Sequence, residues 1–387
     1  VLIERVSFLV PFVKWGLMVA MKPWLFFLTA SLMSAETVSD PVKWSPEARL
    51  ATIKVFEREV YGINPTAEIS SEWKLDRESK ILDGRVDRRE YVLTLAGSLK
   101  ARALVYLPAG KKDVPAFLGL NFRGNHTLEG DEWITKTNDE PRGKAATRWP
   151  VEMITNAGFA LVTIHCADFD PDKDDDFKNG VHGLFPQKRD ETSWGTIAGW
   201  AWGLSQVREQ LEKVAEIDAA KVVVIGHSRL GKTALWAGAT DQKFAMAISN
   251  DSGCGGAALS KRKHGETVAR INKVFPHWFA KNFRKYDDKE ESLPVDQHQL
   301  IACIAPRSVY VASASKDDWA DPEGEFLALK MAAPAWGETL AEMPAAGNAV
   351  GAGKVRYHLR EGRHDITSWD WQRYLGAAKK FLVKPSE

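Results

Sequence analysis

Eight short runs of apolar and β-branched residues recur along the chain, at about 91–96, 101–106, 116–121, 160–165, 221–225, 245–249, 309–314 and 355–359, bounded by Gly, Pro or Asp. The first two are separated by Gly97-Ser98-Leu99-Lys100, a hairpin spacing, whereas the later ones alternate with helical stretches. Apolar residues at Ile197, Ala201, Leu204, Val207, Leu211 and Val214 trace one helix face, and Trp371, Leu375, Ala378 and Leu382 trace another. A chain that alternates in this way builds an α/β fold: a mostly parallel sheet of eight strands, flanked by helices on both faces, after one antiparallel opening hairpin. The 387 residues could hold two or three domains at about 150 residues each. No internal repeat or low-complexity linker divides them, so a single domain over 36–387 is expected. Three long stretches, about 122–148, 166–194 and 252–300, fall outside the alternation, and insertions of that length in a compact domain usually carry function.

The charges balance, with 52 Lys and Arg against 51 Asp and Glu, which argues against nucleic acid or another polyanion as the main partner. Any electrostatic specialisation is local. The segment 261–285 holds eight Lys or Arg against the single Glu266, a rim that would attract an acidic polysaccharide if it borders the site. Three cysteines (Cys166, Cys254, Cys303) form no CxxC pair and allow at most one disulfide. Fifteen tryptophans supply flat apolar faces of the kind that grip sugars. At the amino terminus, Met21-Lys22-Pro23 precedes the apolar run Trp24 to Met33 and then Ser34-Ala35-Glu36. This pattern reads as a secretory leader over 1–35, with an uncleaved anchor as the alternative. The run is short for a membrane span, so a secreted or periplasmic monomer with no stable membrane partner is expected.

The chemistry gathers after the later runs. Lys221 to Ile225 leads into Gly226-His227-Ser228-Arg229-Leu230-Gly231-Lys232 and then a helical stretch. Strand, sharp turn with Ser at its apex, then helix is the nucleophile elbow of a serine hydrolase. An ordinary helix N-cap would explain Ser228 alone, but the surrounding strand–helix alternation favours the nucleophile. The second glycine of Gly-x-Ser-x-Gly is displaced to Gly231. The base in this architecture follows the last strand, where Glu361-Gly362-Arg363-His364-Asp365 places His364; His358, inside that strand, reads as packing. Two acids qualify, Asp251 and Asp317, each just beyond a strand. Asp168-Phe169-Asp170-Pro171-Asp172 imitates a calcium loop. The EF-hand pattern needs Gly at its sixth position and Glu at its twelfth, where this chain has Lys173 and Asn179, so no metal is expected there.

Together with Ser249-Asn250-Asp251-Ser252-Gly253-Cys254-Gly255-Gly256, Pro276-His277-Trp278-Phe279, Pro294-Val295-Asp296-Gln297-His298 and Trp319-Ala320-Asp321-Pro322, the Ser-Arg-x-Gly-Lys motif resembles the bacterial glucuronoyl esterases, carbohydrate esterase family 15. The resemblance runs from about Ala48 to the carboxy terminus. It implies an α/β-hydrolase fold with long insertions around the active site, and cleavage of glucuronoyl esters that join xylan side groups to lignin alcohols, without cofactor or metal. It further implies Ser228 as nucleophile, His364 as base and Arg229 at the oxyanion. Lys232, Trp319 and Gln299 would contact the uronate, Gln299 standing where many members have Glu. His227 stands where fungal members have a disulfide-bonded Cys. An esterase on acetyl or feruloyl xylan, or a non-catalytic carbohydrate-binding homologue, are the alternatives. Many members carry Glu at the Asp251 position, and Asp is shorter by about 1.5 Å. That deficit makes Asp317 the expected orienting acid and Asp251 the alternative.

Overall fold

The computed structural model describes residues 45–185 and 188–383; the leader expected over 1–35 lies outside the described residues. Among the described residues ten strands form one sheet: β1 (Ser71–Ile81), β2 (Val86–Leu95), β3 (Leu99–Pro108), β4 (Val114–Asn121), β5 (Ala160–His165), β6 (Ile217–His227), β7 (Met246–Asn250), β8 (Ser308–Ala314), β9 (Asn348–Val350) and β10 (Val355–Arg360). Their order is β1-β2-β3-β5-β4-β6-β7-β8-β10-β9. The stretch from β5 through β10 pairs in parallel, while β1, β2 and β3 at one edge and β9 at the other pair antiparallel. This is the mostly parallel α/β sheet that the alternation predicts.

The expected count of eight strands is corrected to ten. Strand β1 reads Ser-Glu-Trp-Lys-Leu-Asp-Arg-Glu-Ser-Lys-Ile, and its side chains are half-buried or exposed throughout, so no apolar alternation announces it. Its pairing with β2 carries it instead, through Trp73 stacked on Tyr91 at 4.6 Å and the cross-strand ion pairs Arg77–Glu90 and Lys80–Asp87. A charged outer strand also protects an open sheet edge from unwanted pairing.

The helices are α1 (Pro46–Phe56), α2 (Val151–Asn156), α3 (Thr196–Gln210), α4 (Arg229–Thr240), α5 (Val268–Val274), α6 (Gln297–Ala302), α7 (Pro322–Ala332) and α8 (Ser368–Leu382). Strand β6 shows why two layers of helix are needed. Val222 and Val224 point into one core with Ile197, Trp200 and Trp236 of α3 and α4; Val223 and Ile225 point into the other with Ile154, Trp371 and Tyr374 of α2 and α8. Helix α8 begins at a capping box, in which the Asp370 carboxylate accepts from the Thr367 N–H (2.7 Å) and hydroxyl (2.8 Å). All three cysteines are buried and unpaired. No helix among the described residues is long and apolar enough to cross a membrane.

Trp371 ties α8 to the sheet and to the loop before α2. It is fully buried, its ring meets Phe117 at 5.2 Å edge-on, and its indole N–H donates to the Arg148 carbonyl at 2.9 Å. Trp371→Ala is expected to cost about 3–5 kcal/mol of stability. In urea titrations the midpoint falls while the slope stays unchanged; an unshifted midpoint would contradict this packing role.

Candidate active site

Strands β6, β7, β8 and β10 are parallel, so their carboxyl ends share one edge of the sheet, and Ser228, Asp251, Asp317 and His364 follow them in that order. The chain reverses from β6 into α4 at Ser228, with φ 59° and ψ −129°. Such a conformation costs about 1–3 kcal/mol for an L side chain and persists only where the surroundings impose it. Here the Ser228 N–H donates to the Asn250 carbonyl at 2.9 Å, and its carbonyl accepts from Gly231 at 2.8 Å. A Cβ on Gly226 would lie 1.8 Å from the Leu230 carbonyl oxygen, so the turn closes only with glycine there. The displaced Gly231 seats α4 on the end of β7, where an added Cβ would lie 3.0 Å from Ser252 Cβ.

His364 Nδ1 lies 2.5 Å from Asp317 Oδ2. A carboxylate there accepts a hydrogen bond from Nδ1–H, which keeps the proton on Nδ1 and leaves Nε2 as the basic nitrogen. The imidazole is 40% exposed, and Asp317 is buried beneath it. His227 packs against the same ring, 4.5 Å between centroids, with its own Nδ1 2.6 Å from Asn250 Oδ1. Asp251 is also buried, but it does not bond His364. Its Oδ2 accepts from the Asp365 N–H at 3.3 Å, with Arg360 3.8 Å away, and its Oδ1 has no partner. Burial and the neighbouring Glu325 and Asp317 push its carboxyl well above the usual range, toward the neutral acid. His358 is buried in β10 between the Tyr310 hydroxyl and Asp370, as its place in a strand implies.

Ser228, Arg229 and His364 line two cavities at once. One, of 340 Å³, is walled by Lys232, Glu266, Trp278 and Trp319; the other, of 220 Å³, by Phe122, Arg123, Arg148, Trp149 and Ile366. Lys232 sits in the wall of the first but has no free donor. Its ammonium bonds the carbonyls of Ser252 (2.6 Å) and Cys254 (2.7 Å) and the Glu266 carboxylate (3.1 Å), which exhausts its three N–H groups. Trp319 is 44% exposed at the mouth, with the Arg270 guanidinium 4.6 Å above its ring. The Glu266 N–H donates to the Trp319 carbonyl at 2.9 Å, so these two wall residues move as one.

Gln299 is not brought to the site. It occupies the third position of α6, where its side chain accepts from the Asp296 N–H at 2.8 Å in a capping box; Glu266 lines the cavity, as do Asp251 and Asp317. The carboxylates of the calcium-like stretch serve three separate protein donors: Asp168 takes the Arg102 N–H, Asp170 the Thr196 hydroxyl and Asp172 the Arg229 guanidinium. Within the basic segment, Arg262 pairs with Asp321 and Lys263 with Glu290 and Glu291, so part of its charge is neutralised locally. Nothing in the local sequence assigns Glu266 or Asp172 a place at this site, although both lie in the long stretches outside the strand–helix alternation.

A family model described as "Glucuronyl esterase, fungi" matches residues 144–339. The chain is 41% identical to carbohydrate esterase MZ0003 from an unknown prokaryotic organism, across 92% of this chain and 89% of that protein. It is 35% identical to a 4-O-methyl-glucuronoyl methylesterase of Hypocrea jecorina over a shorter region, 37% of this chain and 33% of that one. Among solved structures, a glucuronoyl esterase from Solibacter usitatus superposes with a TM-score of 0.82 at 39% identity, covering 91% of this chain and 96% of the other.

Asp251 gives this site a pH signature in stability. Its raised value means that the folded protein keeps a proton that the unfolded chain, titrating near about 3.9, releases. Its contribution is therefore present below that value and declines as pH rises toward the folded value. Asp251→Asn carries no such cost, so its Tm should gain on the parent's as pH rises above about 4. A difference that shrinks across that window would mean the buried carboxyl is ionised in the fold.

Proposed function

The chain belongs to the glucuronoyl esterases of carbohydrate esterase family 15, and from that membership we propose that it hydrolyses 4-O-methyl-glucuronoyl esters joining xylan side groups to lignin alcohols. In this reading Ser228 is the nucleophile, His364 the base and Asp317 the acid that orients it. One observation carries it: Ser228 and His364 stand together where two cavities of different character meet. An ester has two halves, and each cavity suits one. The uronate goes to the side with Glu266, Lys232 and the Trp319 face, because a pyranose offers hydroxyls to a carboxylate and a flat C–H face to an indole. The alcohol goes to the Phe122, Trp149 and Ile366 side, which is more apolar.

The chemistry then follows from the geometry. The Ser228 oxygen attacks the ester carbonyl while His364 Nε2 takes its proton, a contribution of about 10²–10⁴-fold. Asp317 on Nδ1 holds the tautomer that makes Nε2 basic and steadies the imidazolium. The carbonyl oxygen becomes an oxyanion beside Arg229, whose N–H is at the open end of α4 and whose guanidinium is permanently charged. The imidazolium returns its proton to the departing alcohol, leaving glucuronate esterified to Ser228. Water repeats the sequence with His364 again as base, and the free acid leaves. Lys232 acts through Glu266, which it holds at the sugar. Secretion or export to the periplasm follows from the Met21 to Ala35 pattern.

Hydrolysis of a methyl glucuronate ester, set against acetyl and feruloyl xylan esters, tests the substrate class; preference for either of the latter would overturn it. Ser228→Ala should lower kcat on the order of 10⁶-fold and Asp317→Asn on the order of 10⁴-fold, with Asp251→Asn costing far less. The reverse ranking of the two acids would transfer the role to Asp251. EDTA should leave the rate unchanged. The ligand atoms of Asp251, Asp317 and His364 lie within 4.8 Å of one another, so a loss restored by a divalent ion would make this cluster a metal centre instead.

Recognition of the sugar has its own signature. Glu266→Gln should raise KM for glucuronate esters more than for simple acetyl esters, with kcat little changed, because it weakens a contact made equally in ground and transition states. An equal rise for both classes would remove Glu266 from sugar binding.

A further inference from the structure

Arg229 does not reach the site as a free surface cation. Its guanidinium lies 4.5 Å from the centroid of the Phe122 ring, 5.1 Å from Phe275 and 4.8 Å from Trp278. It is paired with Asp172, and the two side chains are 24% and 13% exposed. Both oxygens of Asp172 are engaged. While Oδ2 accepts from Arg229, Oδ1 accepts from the Trp278 indole N–H at 2.7 Å and from His277 Nε2 at 2.9 Å. Trp278 in turn stacks face to face on Phe275 at 3.7 Å. One carboxylate thus joins the insertion after β5, the start of α4 and the insertion after β7.

We propose that Asp172 is a positioning residue that locks the Arg229 guanidinium beside the oxyanion, with His277 and Trp278 holding Asp172 in turn. The proposal rests on the reading of Arg229 given above. The physical case is preorganisation. A donor stabilises developing charge best when it needs no reorientation at the moment of reaction, and an arginine carries many side-chain rotamers that must otherwise be frozen. The aromatic rings restrict the guanidinium to a slot but do not fix its rotation within that slot; a carboxylate on one edge does. The arrangement also explains why an acidic stretch resembling a cation loop is present, since its third carboxylate is committed to a cation that belongs to the protein.

The test is a double-mutant cycle on hydrolysis of a methyl glucuronate ester, with melting temperature measured in parallel. Asp172→Asn keeps the volume but turns an amide toward the guanidinium, and should lower kcat by about 10²-fold, the scale of a misplacement near 1 Å, with KM little changed. In the Arg229→Ala background the same substitution should lower kcat no further, because the group it positions is gone. Losses that multiply in the double variant, or an Asp172→Asn enzyme with parental kcat, would overturn the proposal and leave Arg229 as read. If Arg229→Ala itself retains full kcat, the oxyanion reading fails and the proposal with it. Trp278→Phe guards against a folding defect in Asp172→Asn: it deletes one hydrogen bond to Asp172 while keeping a ring beneath Arg229. It should cost kcat less than about tenfold, again only when Arg229 is present, and a loss that persists in the Arg229→Ala background counts against the proposal.

Discussion

The Leu230 carbonyl stands where a Cβ on Gly226 would be, 1.8 Å away, and the rest of the site is arranged around that contact. It forces the reversal between β6 and α4 to be tight, which holds Ser228 at positive φ and brings the first turn of a helix to the edge of the sheet. Once α4 starts there, its side chains are distributed by helical geometry. Arg229 goes toward the insertion after β5, and Lys232, nearly one turn later, toward the insertion after β7. Ser228 stands between the two cavities, and Arg229 beside it lines both.

Each functional side chain at this edge is held by a partner of opposite character. His364 has Asp317, Arg229 has Asp172 and Lys232 has Glu266. Where both members are withdrawn from water, as Lys232 and Glu266 are, such pairs contribute little net stability, since desolvation offsets most of the attraction. Their effect is geometric: removing one member strands the other, so each fixes an orientation strongly. Asp251 is the contrast. Its nearest cation is 3.8 Å away and two further acids surround it, so burial wins and the carboxyl is pushed toward its neutral form. Of the two carboxyl groups near this imidazole, Asp317 alone bonds it.

The long insertions do the walling. Phe122 and Arg123 follow β4, and Glu266, Phe275 and Trp278 follow β7, all at the carboxyl ends of parallel strands. The sheet and its helices set where Ser228 and His364 meet, and the insertions decide what can lie against them. Tyr61, stacked on Trp236 of α4 at 4.3 Å, donates its hydroxyl to the Gly255 carbonyl at 2.9 Å and so fastens the third insertion to the core.

The amino-acid sequence by itself determined the parallel core, the elbow and the order Ser228, acid, His364, because these rest on local rules. Apolar runs mark buried strands within a few residues, and a turn without room for a Cβ demands glycine on the spot. The capping box of Asp296 and Gln299 is equally local, and it keeps Gln299 out of the cavity wall. Strand β1 was not legible, since its charged residues become a strand only through pairing with β2. Nor were Glu266 and Asp172, whose partners lie 34 and 57 residues away along the chain. The preference for Asp317 over Asp251 was argued from side-chain length, but the tertiary structure supplies a different reason. Only one of the two reaches His364, and the other sits where burial and neighbouring acids push its carboxyl well above the usual range. Such outcomes depend on distances between segments remote in the chain, which exist only after the fold has closed.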